Sequence, residues 1–216
     1  LIVGLVMFFL LGAPLAGIMT GLTNWLNSMT GTSAVLLGII LGLMMCFDLG
    51  GPVNKAAYLF GTAGLSAGDE ASLKIMAAIM AAGMVPPIAL SIATLVRPRV
   101  FTPAEQENGK SSWLLGLSFV SEGAIPFAAA DPLRVIPSMM AGGAVTGALS
   151  MLFGAGSRAP HGGVFVLFAI EPKIGWLIAI IAGVIVSATA VVLLKTVWPQ
   201  KIVEKQVEAA KADAKA

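Results

Sequence analysis

The sequence predicts an all-α fold, a polytopic transmembrane helix bundle with broken or re-entrant helices, and three observations carry that prediction. The chain is 57% hydrophobic and its mean hydropathy is +0.93. Only 11% of its residues are charged, where soluble domains carry about 25%. Its apolar stretches are also interrupted by Gly, Pro and charge at places that fit the middle of a span.

Residues 1–22 are apolar apart from Thr20 and reach about 33 Å as a helix, enough to cross a hydrocarbon core of about 30 Å. They predict a first span, with Pro14 as a place for a kink. Residues 23–33 are polar and contain Gly31, which reads as a loop or short surface helix with Trp25 as an interfacial anchor. Residues 35–47 are apolar but too short to span. Asp48-Leu-Gly-Gly-Pro-Val-Asn-Lys55 follows and the apolar run resumes over 56–65, the pattern of a broken or re-entrant helix.

Residues 71–96 predict a long span with Lys74 near one end and a kink expected at Pro86-Pro87. Residues 97–112 read as a polar loop. Residues 113–170 alternate short apolar stretches with Pro and Gly, a composition of irregular backbone, which membranes tolerate only where it is buried in protein or lines a cavity. Residues 174–198 form the most regular span, with Trp176 and Trp198 at its ends as aromatic-belt residues. Residues 201–216 read as a soluble helix or frayed tail. Lys195, Lys201, Lys205, Lys211 and Lys215 place that tail in the cytoplasm by the positive-inside bias. The division expected is a partial membrane domain over 1–200 and a charged tail over 201–216.

A net charge of +2, with scattered basic residues, gives no basis for nucleic-acid binding. The one cysteine, Cys46, excludes an internal disulfide or a thiolate metal site and reads as a small buried hydrophobe. Leu1 is not an initiator Met, and its apolar run lacks the flanks of a signal peptide. The chain is therefore expected to be the carboxyl-terminal part of something longer.

A charge near the bilayer centre costs about 2.5–3.5 kcal/mol on insertion scales, so ionisable groups there mark function or pairing. Asp48, Lys55, Glu122, Asp131, Arg134, Arg158 and His161 are such groups, and Asn54 adds an amide that both donates and accepts. Glu122 is either an acid capped by a neighbouring Arg or backbone amides, or an acceptor or base for a substrate hydroxyl. Gly123 and Pro126 break the helix around it and favour the second reading. His161 could contact substrate or a donor phosphate, or make a structural hydrogen bond; it has no evident co-ligands for a metal, and no cofactor is called for. Arg158 and Arg134 could meet a phosphate or pair with acids.

Asp131-Pro-Leu-Arg134 suits a helix start with an Asp cap and Pro in the first turn. Gly50-Gly51-Pro52 lacks the spacing of a phosphate loop and reads as a helix break. A weak self-similarity links Asp48-Leu-Gly-Gly-Pro-Val to Pro160-His-Gly-Gly-Val-Phe. A sugar presents hydroxyls that each donate and accept, and carboxylate, amide and imidazole groups on unwound backbone meet that demand.

Three blocks, Phe47-Asp-Leu-Gly-Gly-Pro-Val-Asn-Lys-Ala-Ala-Tyr58, Ser121-Glu-Gly-Ala-Ile-Pro-Phe-Ala-Ala-Ala-Asp-Pro132 and Gly156-Ser-Arg-Ala-Pro-His-Gly-Gly163, closely resemble the fructose-specific membrane component, IIC, of the bacterial phosphotransferase system. The resemblance covers about residues 1–200. It implies a component of a sugar phosphotransferase complex in the bacterial cytoplasmic membrane, a homodimer surrounded by lipid, with a scaffold part and a moving part. Fructose or a similar hexose would enter, and phospho-IIB would phosphorylate it to fructose 1-phosphate with phosphate drawn from phosphoenolpyruvate. By motif, Glu122 and His161 resemble the groups that hold the sugar, with Glu122 as the base. Asn54, Asp48, Lys55 and Arg158 would join them as substrate ligands, Arg158 balancing charge on the phosphoryl group. Asp131 and Arg134 would be structural or helix-capping. Cys46 does not match the phosphorylated IIB cysteine.

Two other readings are open to the same residues. One is a secondary sugar transporter driven by H⁺ or Na⁺, with Glu122 and Asp131 as coupling carboxylates. The other is an inactive truncated membrane fragment.

Overall fold

Helix α3 (Glu70–Val96) is the axis of the molecule, and every residue from 75 to 87 on it is buried. A helix apolar all round belongs inside a bundle rather than on its edge. The computed structural model describes residues 34–65, 68 and 70–198. The predicted first span at 1–22, the 23–33 segment with Trp25, and the tail at 201–216 lie outside them. Before α3 come α1 (Ala34–Phe47) and α2 (Pro52–Leu65); after it come α4 (Pro103–Leu117), α5 (Ile125–Ala130), α6 (Pro132–Leu152) and α7 (Lys173–Val197). Single turns of tighter helix occupy Pro98–Val100 and Ser121–Ala124, a longer tight-helical segment kinked at Val166 occupies Gly163–Ala169, and a two-residue strand β1 (Gly156–Ser157) pairs antiparallel with β2 (Ile170–Glu171). Among the described residues α3, α6 and α7 are long and apolar enough to cross a membrane.

Contacts along α3 give each neighbour its direction. α2 runs antiparallel to it, with Gly61 on Ile79 and Gly64 on Ser72. α4 also runs back along it, with Gly109 on Thr94 and Gly116 on Ile88. α1 and α2 thus enter from the face where α3 starts and turn at mid-depth, while α4 and α5 enter from the opposite face and turn at the same level. The loop from Gly154 to Glu171 enters from the first face, reaching Leu117 and Phe119 at Gly163 before β2 returns to β1. The re-entrant character expected of 35–65 is present, and it recurs twice more.

α6 is joined to α1 and α7 by small residues on both of its sides. A Cβ on Gly42, Gly143, Gly38 or Gly147 would meet the backbone of the facing helix or, for Gly143, the Cys46 sulfur. The two Gly-x-x-x-Gly seams, 38/42 and 143/147, therefore let α1 and α6 touch backbone to backbone. On the other side Gly142 faces Ser187, and Gly183 faces Thr146. Lipid tails supply no hydrophobic force between helices, so close van der Waals approach has to hold these pairs together.

Three expectations are corrected. Residues 97–112 are not a loop: Thr102 Oγ1 accepts from Glu105 N at 3.3 Å, Glu105 Oε2 accepts from Thr102 N at 2.8 Å, and Pro103 stands in the first turn of α4. This reciprocal cap launches a 15-residue helix. The irregular stretch foreseen over 113–170 contains the continuous α6, which runs through Pro137. Trp176 is no belt residue, since it is fully buried and its Nε1 donates to Ala77 O at 3.0 Å. Trp198, at the other end of α7, is exposed.

Replacing Gly143 with Leu should push α1 from α6 and lower stability by about 2 kcal/mol or more, as overpacking against unyielding backbone does. Thermal unfolding of the detergent-solubilised full-length protein would measure it.

Candidate functional site

Pro86 and Pro87 carry no backbone N–H, so the carbonyls four residues earlier, on Ala82 and Gly83, lose their helical partners in mid-span. In lipid an unpaired carbonyl costs several kcal/mol. Both are taken by side chains from the re-entrant tips: the Cys46 thiol donates to Ala82 O at 3.5 Å, and Ser121 Oγ donates to Gly83 O at 2.9 Å. A Cβ at Gly83 would meet Phe119 and Met45, so the missing side chain lets both tips close on α3. Cys46 is buried as expected, and it also caps a broken helix.

The remaining unwound backbone is satisfied in the same way. Asp48 Oδ2 accepts from Val53 N at 2.7 Å and its Oδ1 accepts from Asn54 N at 2.9 Å, so this carboxylate starts α2. Asn54 Nδ2 donates to Met45 O at 2.7 Å, at the end of α1. Ser112 Oγ donates to Gly123 O at 2.8 Å. Leu49 and Phe119 adopt φ of 51° and 64°, left-handed conformations that cost side-chain-bearing residues energy and mark the two tips as strained. Gly50 turns with φ 118°, and Gly162 and Gly163 turn the third tip at 119° and 59°. The two Gly-Gly pairs noted in the sequence thus both sit where a re-entrant segment reverses.

Between these tips lies a cavity of about 100 Å³ lined by Met45, Asn54, Lys55, Tyr58, Phe119, Ser121, Glu122 and His161. Lys55 Nζ donates to Glu122 Oε1 at 2.9 Å, and the two side chains are 49% and 43% exposed. An ion pair so open contributes about 0–1 kcal/mol, so an incoming hydroxyl can displace it at little cost. The His161 ring stands 5.0 Å from Phe119 and 6.2 Å from Tyr58, centroid to centroid. A Cβ on Gly50 would lie 2.9 Å from Glu122 Oε1, so only glycine lets the carboxylate rest against that turn.

The structure therefore brings Glu122, His161, Lys55 and Asn54 together from three separated stretches. Asp48 is adjacent, but its oxygens are committed to the start of α2. Arg158 does not join them: it lines a separate, larger cavity of about 440 Å³ at the face where α3 starts, with Glu70, Lys74 and Glu171. Asp131 precedes α6 and Pro132 opens it, but the Asp131 side chain makes no capping hydrogen bond. It pairs instead with Arg134, Nη1 to Oδ1 at 2.7 Å, and lies 3.1 Å from Lys195 Nζ through Oδ2. The sequence reading missed Ser121, Tyr58 and Phe119. For Ser121 the signal was there: two adjacent prolines in a span require two donors from elsewhere.

The chain is 58% identical over 198 residues to the PTS system fructose-specific EIIB'BC component of Escherichia coli (strain K12), a match covering 90% of this chain and 35% of that protein. It is 47% identical over 198 residues to the PTS system fructose-specific EIIC component of Haloferax volcanii, covering 91% of this chain and 52% of the relative. The fructose permease IIC component of Bacillus amyloliquefaciens is 47% identical over 194 residues, 90% of this chain and 62% of its own length. The chain thus spans between about a third and under two-thirds of the length of these curated relatives. No protein-family model and no solved structure matches it.

Ser121→Ala should leave the Gly83 carbonyl unpaired and cost about 1–3 kcal/mol, readable as a lower unfolding temperature. Gly50→Ala should be more damaging, because it combines an unfavourable φ with a clash at Glu122. The unfolding temperature should fall further in Gly50→Ala than in Ser121→Ala even where the protein accumulates in the membrane.

Proposed function

Because the chain belongs to the fructose-specific IIC components of the phosphotransferase system, we propose that it is the sugar-holding part of a membrane permease that presents fructose, or a similar hexose, for phosphorylation by phospho-IIB. The observation that carries this reading is the meeting of Glu122, Lys55 and His161 at mid-depth, on three re-entrant tips inside a membrane bundle. A carboxylate, an ammonium and an imidazole with an adjacent amide provide acceptors and donors for a ring of hydroxyls. Tyr58 and Phe119 wall the same cavity.

In the proposed step, Glu122 accepts a hydrogen bond from the C1 hydroxyl and takes its proton as that oxygen attacks phosphorus. The bond between phosphorus and the IIB cysteine sulfur breaks, and the thiolate leaves with IIB. Lys55, released from Glu122, balances charge on the phosphoryl group. Lys55 takes this role rather than Arg158, because Arg158 lines a different cavity. His161 orients a sugar hydroxyl. The relatives named EIIB'BC and EIIABC support a IIB partner. The reading extends to a multi-pass protein of the bacterial inner membrane, dimeric, with its carboxyl terminus in the cytoplasm. An ion-coupled carrier using Glu122 and Asp131 is less well supported, since Asp131 sits between Arg134 and Lys195.

The test is uptake of labelled fructose by cells expressing the full-length protein with Glu122 or Glu122→Gln. We expect fructose phosphate from the parent and at least a ~100-fold lower rate from the variant, the usual range for a lost general base. Unchanged phosphorylation in Glu122→Gln would remove the base role, and free fructose accumulating in the parent would favour the ion-coupled carrier.

A further inference from the structure

At the end of the bundle where α3 stops, four charged side chains are buried together: Glu105, Asp131, Arg134 and Lys195. Lys195 Nζ, near the end of α7, lies 2.8 Å from Glu105 Oε1 and 3.1 Å from Asp131 Oδ2, and 4.7 Å from the Phe101 ring centroid. Arg134 reaches Asp131 Oδ1 at 2.7 Å, donates through Nε to Trp198 O at 2.5 Å and stacks over the Trp198 ring. Two acids and two bases balance, which is what burial demands.

Balance alone does not account for the placement. Glu105 opens α4 and Asp131 closes α5, so they are the two ends of the re-entrant segment that carries Glu122 at its tip. Well-packed apolar residues could fill such a site at equal or lower free energy. An ammonium, however, can face two carboxylates of different elements at once. Lys195 is hydrogen-bonded to Glu105 Oε1 and ion-paired with Asp131 Oδ2, an oxygen that accepts no hydrogen bond among the described residues. The strut between base and tip has no slack, because α4 lies against α3 at Gly109 and Gly116 with no room for a Cβ.

We propose that Lys195 is a positioning residue, a clasp that fixes the base of the α4–α5 segment and thereby the place of the Glu122 carboxylate at its tip. This rests on the reading of Glu122 given above. A shift of the base is transmitted along α4, and misplacement of a reacting group by about 1 Å can cost on the order of a hundredfold in rate.

The experiment uses the full-length protein in membranes supplied with phosphoryl donor, with turnover and KM for fructose measured at equal protein levels. The informative variant is the double change Glu105→Gln with Lys195→Met, which leaves Asp131 and Arg134 balanced and so removes the clasp without stranding a charge. We expect turnover to fall about tenfold or more, and the same double change to cost much less in a Glu122→Asp background, where the carboxylate is already displaced. Full turnover in the double variant would show that neutrality was all the cluster supplied and would overturn the proposal. So would equal losses in both backgrounds. If the double variant does not accumulate, Glu105→Asp decides, since it keeps the charge and shortens the reach: lowered turnover supports the clasp and unchanged turnover overturns it. A silent Glu122→Gln sinks this proposal together with the reading it rests on, whereas a damaging Glu122→Gln with independent Lys195 effects sinks the clasp alone.

Discussion

Two carbonyls in the middle of α3 have to be hydrogen-bonded, and the architecture of the site follows from how that is done. Pro86 and Pro87 create the need at Ala82 and Gly83, both buried inside the bundle and out of reach of solvent. The donors come from Cys46 and Ser121. Each belongs to a different re-entrant segment, so the same two bonds that repair α3 also dock two helix breaks beside each other. The broken helices in turn expose their own backbone groups, which Asp48, Asn54 and Ser112 satisfy. Each break thus repairs another, and the polar backbone gathered by this exchange surrounds the one stretch of the bundle where Glu122 and Lys55 can face each other.

The ionic groups divide by burial into two kinds with different physical consequences. Lys55 and Glu122 are nearly half exposed, so their attraction is close to break-even with solvation and the pair can part for a ligand. Lys195 and Glu105 are 1% and 2% exposed. Stripping one partner from such a pair costs about 3–5 kcal/mol, because the other is left buried and charged. A site needs the first kind at its centre and tolerates the second only at its supports. That is the order in which they occur along the α4–α5 segment, with the exchangeable pair at the tip and the fixed pairs at the base.

Much of this was legible in the sequence. Hydropathy and length marked α3 and α7, and the short apolar run ending at Phe47 before Gly50-Gly51-Pro52 announced the first re-entrant turn. The block around Glu122 was recognisable because carboxylate, glycine and proline together are costly in a span unless they line something. α4 was missed because its residues are polar and its apolar periodicity is weak; its signal was local, in Thr102-Pro-Ala-Glu105, where cap, first-turn proline and reciprocal acid coincide. α6 was obscured by its own glycines and Pro137, which read as breaks along one dimension but are contact surfaces in three. The neighbours of Asp131 in sequence fit a helix cap, whereas its partner Lys195, sixty-four positions on, is invisible to local spacing.

The two helical tips arrive from opposite faces of the bundle, and this gives the contact between Lys55 and Glu122 a meaning beyond charge balance. α1 and α2 approach the cavity from one side and α4 and α5 from the other, so the pair joins two segments that reach it from different faces. Irregular backbone at the midplane is expensive to maintain, and here it sets the Glu122 carboxylate of one segment against the Lys55 ammonium of the other.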